Sequence, residues 1–297
     1  MDEVSEFAAK AAVTVFVVTC MATAGLGLGL RAIAAPLRRG RFVAIALILN
    51  FVVAPSLAYG LTNIFAVDPA YATGLLLLSA AAGAPFLPKL AELAHGDVAA
   101  SIALMLLLTV GSIVFLPIIL PLLVPGMSAS TWPILKPLLL TMLLPLCIGM
   151  AIRGSGLSWA LGLRVVLGRI SNVSMIVAVA LLIALNFRSM VNTIGSGAII
   201  VAALFVFILV ALGYVAGGSS GPIRAVLSLG TGQRNIAAAL IIATQHSLEP
   251  SVVVMLLVTT FVGLIVLLPA AFGFAQRSAG DGGMDRQHAA LHLEKTL

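Results

Sequence analysis

Charged residues fall in clusters along this chain, and between the clusters lie long stretches that carry none. No charge occurs in 11–30, 42–67, 98–135, 189–223 or 250–276. A helix needs about 20 apolar residues to cross the hydrocarbon core of a bilayer, so each stretch is long enough. In lipid a backbone must satisfy its own hydrogen bonds, which leaves helices or closed barrels. The stretches lack the apolar–polar alternation of a barrel strand, so the pattern predicts helices. Nine spans follow, at 8–30, 42–64, 70–95, 98–124, 132–152, 166–187, 192–216, 222–246 and 250–275. The third and eighth are atypical. Each carries a charge inside its apolar stretch and a helix breaker or weak helix former near its middle. The polar, glycine-rich sequence of 276–297 reads as a flexible cytoplasmic tail.

Composition removes the soluble alternative. Of 297 residues 61% are hydrophobic and 9% are charged, against roughly 25% charged in a soluble globular domain. The net charge of +6 does not call for nucleic acid, because most basic residues flank spans, where topology explains them. Arg31, Arg38, Arg39 and Arg41 lie between spans one and two, and Arg153, Arg164 and Arg169 between or beside five and six. Arg224 flanks the loop before span eight, and Arg277, Arg286 and Lys295 follow span nine. All fall on one side, whereas the other holds only Lys10, Lys136 and Arg188. This asymmetry predicts a multi-pass protein of the cell (inner or plasma) membrane with its N-terminus outside and its C-terminus in the cytoplasm. Asp2, Glu3 and Glu6 open the chain where a secretory signal would be basic. Cys20 and Cys147 lie in apolar runs and read as small core residues, with no disulfide framework or metal spacing.

Sliding the sequence by 150 residues places Ser101, Met105, Leu106, Leu107 and Thr109 on Ser251, Met255, Leu256, Leu257 and Thr259. An odd number of crossings separates spans three–four from eight–nine, so the two pairs run in opposite directions. That is an inverted-topology repeat, a common plan of secondary transporters.

Both atypical spans carry chemistry. Span three reads Gly83-Ala84-Pro85-Phe86-Leu87-Pro88-Lys89, and its prolines remove backbone donors and crowd the preceding turn. Span eight reads Gly230-Thr231-Gly232-Gln233-Arg234-Asn235. Interrupted helices in corresponding halves point to a transporter binding site; the alternative is two kinks that serve packing alone. Arg234 is the most informative residue. A charge at membrane depth costs at least about 2.5–3.5 kcal/mol, and the uncharged runs on both sides hinder snorkelling, so Arg234 is expected to face the protein interior. Lys89 and Glu92, three apart, can pair on a helix face, either at the site or at the cytoplasmic interface. Asn50, Asn172 and Asn186 want partners, and interhelical hydrogen bonds are their default. Thr109 and Thr259 can bond their own helix backbone. The histidines form no ligand cluster. The Gly25-Leu26-Gly27-Leu28-Gly29 run reads as close helix packing. No serine elbow, phosphate loop, zinc spacing or flavin fingerprint occurs, so no enzyme is expected.

The order of these features resembles the bile acid:sodium symporter family over most of 8–275. The resemblance is carried by GLGLGLRAIAAPLRRGRFVAIALILNFVVAP (25–55), GLLLLSAAAGAPFLPKLAELAHGDVAASIAL (74–104) and LSLGTGQRNIAAAL (227–240). It implies an all-α integral membrane protein with a core and a panel domain and two broken helices that cross in the core. In such proteins the first break has a Pro-Gly-Gly followed by Ser-Asn, and the second a glutamate followed by glutamine and asparagine. These residues help to bind sodium. Here Gly230 stands for the glutamate, Arg234 for the glutamine, and only Asn235 is retained. Asn50 matches a glutamine that contributes to a sodium site in such proteins, and Thr109 matches a hydroxyl ligand of the first site. The sodium sites are therefore degenerate, and two cations, Lys89 and Arg234, stand at or near them.

The expectation is a secondary transporter of small organic anions in which Lys89 and Arg234 replace bound sodium. Its pocket residues would be Asn235, Arg234, Lys89, Thr109, Asn50, Gln233 and Thr231. The expected partners are a small organic anion and the lipid bilayer; no cofactor is expected, and sodium is not. Two alternatives stay open: sodium symport with ligands rearranged onto Thr109, Asn50 and main-chain carbonyls, and a non-transporting membrane receptor or assembly partner that keeps the fold.

Overall fold

The computed structural model describes residues 3–123, 136, 139–245 and 249–294, and every regular element among them is a helix. The helices are α1 (Glu3–Gly27), α2 (Leu30–Leu37), α3 (Gly40–Ile64), α4 (Pro69–Ala80), α5 (Leu87–Leu93) and α6 (Val98–Leu123). They continue with α7 (Leu139–Gly154), α8 (Ala160–Asn192), α9 (Ala198–Ala216), α10 (Gly221–Gly232), α11 (Ile236–Gln245) and α12 (Pro250–Glu294).

Among the described residues six helices are long and apolar enough to cross a membrane: within α1, α3, α6, α8, α9 and α12. The expected third and eighth spans are each divided in two, α4 with α5 and α10 with α11, and no half is long enough alone. The expected fifth span begins in 132–135, outside the described residues, and α7 is correspondingly short. The first helix ends at Gly27, three residues before the expected boundary, and Gly29 precedes α2 in extended backbone. The last helix continues past Arg277 into the sequence read as a tail.

Two helices change pitch for one reason. A π-turn at Leu49–Val53 precedes Pro55, and another at Leu139–Leu143 precedes Pro145. Proline has no N–H and collides with the carbonyl four residues back, and a widened turn relieves that collision without breaking the helix. The first of these turns carries Asn50.

The bundle has two groups. The first joins α1 to α7 and α8; the second packs α9, α10, α12 and α4 together. The outer face of α8 presents Leu161, Val165, Ile170, Val173 and Ile176 to the surroundings, as a lipid-facing helix does. Glycines set the closest approaches. A Cβ on Gly25 would lie 2.2 Å from the Leu146 carbonyl oxygen, and one on Gly149 would lie 2.4 Å from that of Ala22. The backbones of α1 and α7 therefore touch, as the glycine run predicts. Gly149→Leu is expected to force them apart and destabilise the protein by about 1–3 kcal/mol, read as a lower thermal unfolding temperature in detergent. Gly60→Ala, with nothing within 4 Å of the new methyl, should cause no loss. Equal unfolding temperatures for Gly149→Leu and wild type would contradict the contact.

Candidate functional site

The two interruptions meet. After Ala80 the chain leaves the helix, and Gly83 takes a positive φ of 84°. A Cβ there would sit 2.4 Å from the Thr109 nitrogen, so only glycine fits both the backbone and the space. Pro85 and Pro88 then set the start of α5. In the other interruption Gly230 and Gly232 let α10 approach its neighbours. A Cβ on Gly230 would lie 2.6 Å from a Leu104 methyl, and one on Gly232 would lie 2.4 Å from a Val210 methyl. Gln233 is extended, and α11 restarts at Ile236.

An interrupted helix frees carbonyls that must find donors. The Asn235 N–H donates to the Ala81 carbonyl at 2.8 Å. The Asn235 Nδ2 donates to the Gly83 carbonyl at 3.3 Å, while its Oδ1 accepts from the Ala238 N–H at 3.2 Å and so caps α11. The Thr109 hydroxyl reaches the same Gly83 oxygen at 3.0 Å and its own Met105 carbonyl at 2.8 Å. Having one proton, it donates to one of them at a time. The Ser112 hydroxyl accepts from the Ala82 N–H at 2.8 Å and donates to the Ala82 carbonyl at 3.0 Å.

Arg234 completes the junction. It is buried, at 7% exposure. Its Nη1 donates to the Ser79 carbonyl at 3.3 Å, and its Nη2 donates to the Thr231 carbonyl. These oxygens belong to the last turns of α4 and α10. A helix C-terminus carries about half a negative charge, so one guanidinium sits against two such ends. The Phe205 ring lies 5.8 Å from its Cζ. Among the described residues the sole ion pair is Lys89–Glu92, at 2.7 Å, so Arg234 has no carboxylate partner there. Its Nε is buried without a partner among the described residues, as are Gln233 Oε1, Thr231 Oγ1, Thr259 Oγ1 and Asn50 Oδ1.

A cavity of about 160 Å³ opens beside the junction. Gln233, Arg234, Asn235 and Thr259 line it together with apolar side chains that include Phe16, Phe86 and Leu267. The structure thus gathers three expected residues, Arg234, Asn235 and Gln233, around one space. Thr109 joins through Gly83, and Thr231 through its carbonyl. Asn50 sits apart in the π-turn of α3 with its Nδ2 on the Ala46 carbonyl at 2.9 Å. Lys89 lines a different cavity, with Arg164, Ser171 and Asn172.

Sequence reasoning missed Ser79 and Ser112. Ser79 contributes a backbone oxygen, which no side-chain pattern announces. It also missed Phe205, Phe16 and Phe86, which look like any core aromatic in an apolar run.

The family model described as the Sodium Bile acid symporter family matches residues 14–213. No curated protein matches the chain. The matched stretch runs from α1 into α9, so it includes the Gly83 interruption and ends before Arg234. Families of this kind are transporters rather than enzymes, and with the apolar helices the match makes this a multi-pass membrane protein. Two-thirds of the sequence, 200 residues of 297, falls under that one description, and the chain belongs to the sodium bile acid symporter family.

Proposed function

We propose that this protein is a secondary carrier of small organic anions whose transport cycle needs no sodium. In this reading each interrupted pair, α4–α5 and α10–α11, forms one span, which gives nine. Spans three–four and eight–nine are an inverted repeat, and a core built on the two interrupted helices rocks against a panel of α1, α7 and α8. The N-terminus lies outside and the C-terminus in the cytoplasm of a cell membrane. The separate packing of α1 with α7 and α8 supports the division.

One observation carries the reading: the Arg234 guanidinium sits on carbonyls at the C-terminal ends of two half-helices. In carriers with interrupted helices such ends and unwound carbonyls are where the coupling cation binds. Here a fixed cation already has them. A sodium ion 4 Å away would be repelled by about 4 kcal/mol at an effective dielectric of about 20, so the donor set does not fit sodium. Lys89, which opens on the other cavity, adds positive charge to the pathway without sharing the junction.

The same group suits an organic anion. Arg234 keeps an unpartnered Nε while it lines the cavity, and Asn235 and Gln233 stand beside it to orient a polar group. The cavity of about 160 Å³ is on the scale of the ~150 Å³ apolar cavity that admits benzene. A single carboxylate or sulfonate on a body of a few carbon atoms fits that space.

In proteoliposomes, uptake of radiolabelled benzoate, a probe of that size and charge, is expected to run at equal rates in sodium and in choline buffer. A sodium requirement of roughly tenfold, the size of an ordinary coupling between two ligands, would overturn sodium independence. Arg234→Ala should abolish uptake while the protein still inserts. It also removes two charged hydrogen bonds worth about 1.5–3 kcal/mol each, so its unfolding temperature should fall. If the guanidinium replaces sodium, added sodium should partly restore that temperature in Arg234→Ala and leave wild type unchanged. Normal uptake by Arg234→Ala would refute the assignment.

A further inference from the structure

Lys89 belongs to a second cavity, of about 250 Å³, whose lining includes Cys20, Lys89, Glu92, Arg164, Ser171 and Asn172. The same three walls bound both cavities, about one helical turn apart. On α1, Phe16 and Val17 line the Arg234 cavity and Cys20 lines the second. On α8, Met175 and Ala178 line the first, and Ser171 and Asn172 the second. Around the first interruption the division falls between Phe86 and Pro88. Four residues of helix span about 6 Å, so the cavities are successive chambers of one slot. Phe16 and Phe86, both lining the Arg234 cavity, meet edge to face with ring centroids 6.0 Å apart.

The chambers differ in chemistry. The first has apolar walls around one guanidinium, whereas the second offers two cations and a set of small polar groups. The Lys89 side chain is 19% exposed and pairs with Glu92, whose side chain is 63% exposed. Arg164 lies flat against α1, because a Cβ on Gly27 would come within 3.0 Å of its Cζ. Arg164 is in no ion pair among the described residues. Lys89 and Arg164 against Glu92 leave a formal charge of plus one in the chamber.

We propose that this second cavity is an anion-binding site in its own right, distinct from the Arg234 junction, in which Lys89 and Arg164 hold a carboxylate or sulfonate group. It rests on the reading of the chain as an anion carrier. The Arg164 guanidinium receives the anion directly, and Lys89 turns to it from Glu92, which swings outward into solvent. Glu92 is therefore the built-in competitor for Lys89, and removing its charge strengthens the site. Ser171 and Asn172 line the same wall and supply neutral hydrogen-bonding groups.

Cys20 provides a reporter inside the chamber. In a Cys147→Ser background it is the one remaining thiol of two. Its modification is measured with an anionic reagent, 2-sulfonatoethyl methanethiosulfonate, and a cationic one, 2-(trimethylammonium)ethyl methanethiosulfonate, each scaled to its rate with free thiol. A positively charged cleft concentrates anions by roughly tenfold or more, so the anionic reagent should react about tenfold faster. Lys89→Gln and Arg164→Gln should each shrink that preference, and Glu92→Gln should widen it. Arg164 is exposed, so its variant keeps the bundle intact even if Lys89→Gln does not fold. A cationic preference in the Cys147→Ser protein, or a preference unchanged by Arg164→Gln, would overturn the proposal. Arg234→Ala should leave the anionic preference intact while uptake is lost. The second site and the carrier reading thus fail on separate measurements.

Discussion

The guanidinium of Arg234 is the one charge that the junction cannot do without. Two half-helices, α4 and α10, end beside each other, and their last turns present carbonyls that no continuing helix will satisfy. Two such ends together amount to about one negative charge. Left alone they would repel each other in a medium of low dielectric, and the buried oxygens would lack donors. Arg234 answers both problems at once, with one nitrogen on Ser79 and another on Thr231. The guanidinium suits this task better than an ammonium, because its donors are spread over a rigid plane and reach two oxygens in fixed directions.

Around that charge the rest of the junction is an exercise in backbone accounting. Ala81 is served by the Asn235 N–H, Ala82 by Ser112, and Gly83 by Asn235 and Thr109. Each donor comes from an element other than the one it serves. The interruption in α4–α5 is held open by α6 and by the second interruption, so neither break could keep its shape alone. That interdependence explains why glycine is required at Gly83. The loop must pass within van der Waals contact of Thr109 for the hydroxyl to reach it. It also makes the junction a unit whose two halves depend on each other, which fits the rocking core proposed above.

The outline of this arrangement was legible in the sequence because lipid leaves few choices. Charge-free runs of bilayer length had to be helices, and Pro85, Pro88, Gly230 and Gly232 could only mark places where a helix gives way. Arg234 was legible for the same reason, since uncharged sequence on both sides left it no route to water. The assignment of Lys89 was not legible. It lies two residues from the start of α5, and the direction of that short helix, which decides the chamber it enters, is set by packing against α6, α10 and α12. The carbonyl of Ser79 was hidden because every residue has one, and only the fold selects which are left free. The π-turn that holds Asn50 could be inferred from Pro55 after the fact, but a proline in a membrane helix is equally compatible with a simple kink.

What separates this junction from a purely structural one is the polarity left over. A finished network in a protein interior pairs its buried groups, since an orphaned donor or acceptor costs about 1–3 kcal/mol. Here Arg234 Nε, Gln233 Oε1, Thr231 Oγ1 and Thr259 Oγ1 have no partner among the described residues, and Arg234, Gln233 and Thr259 line the same cavity. A guanidinium that served only to cap helix ends would need no cavity and no idle Nε. Apolar filling would stabilise such a cap better, and the space would close around Leu267, Phe16 and Phe86. Unspent hydrogen-bonding capacity beside a fixed positive charge, walled by apolar side chains, is the feature on which the proposed anion site rests.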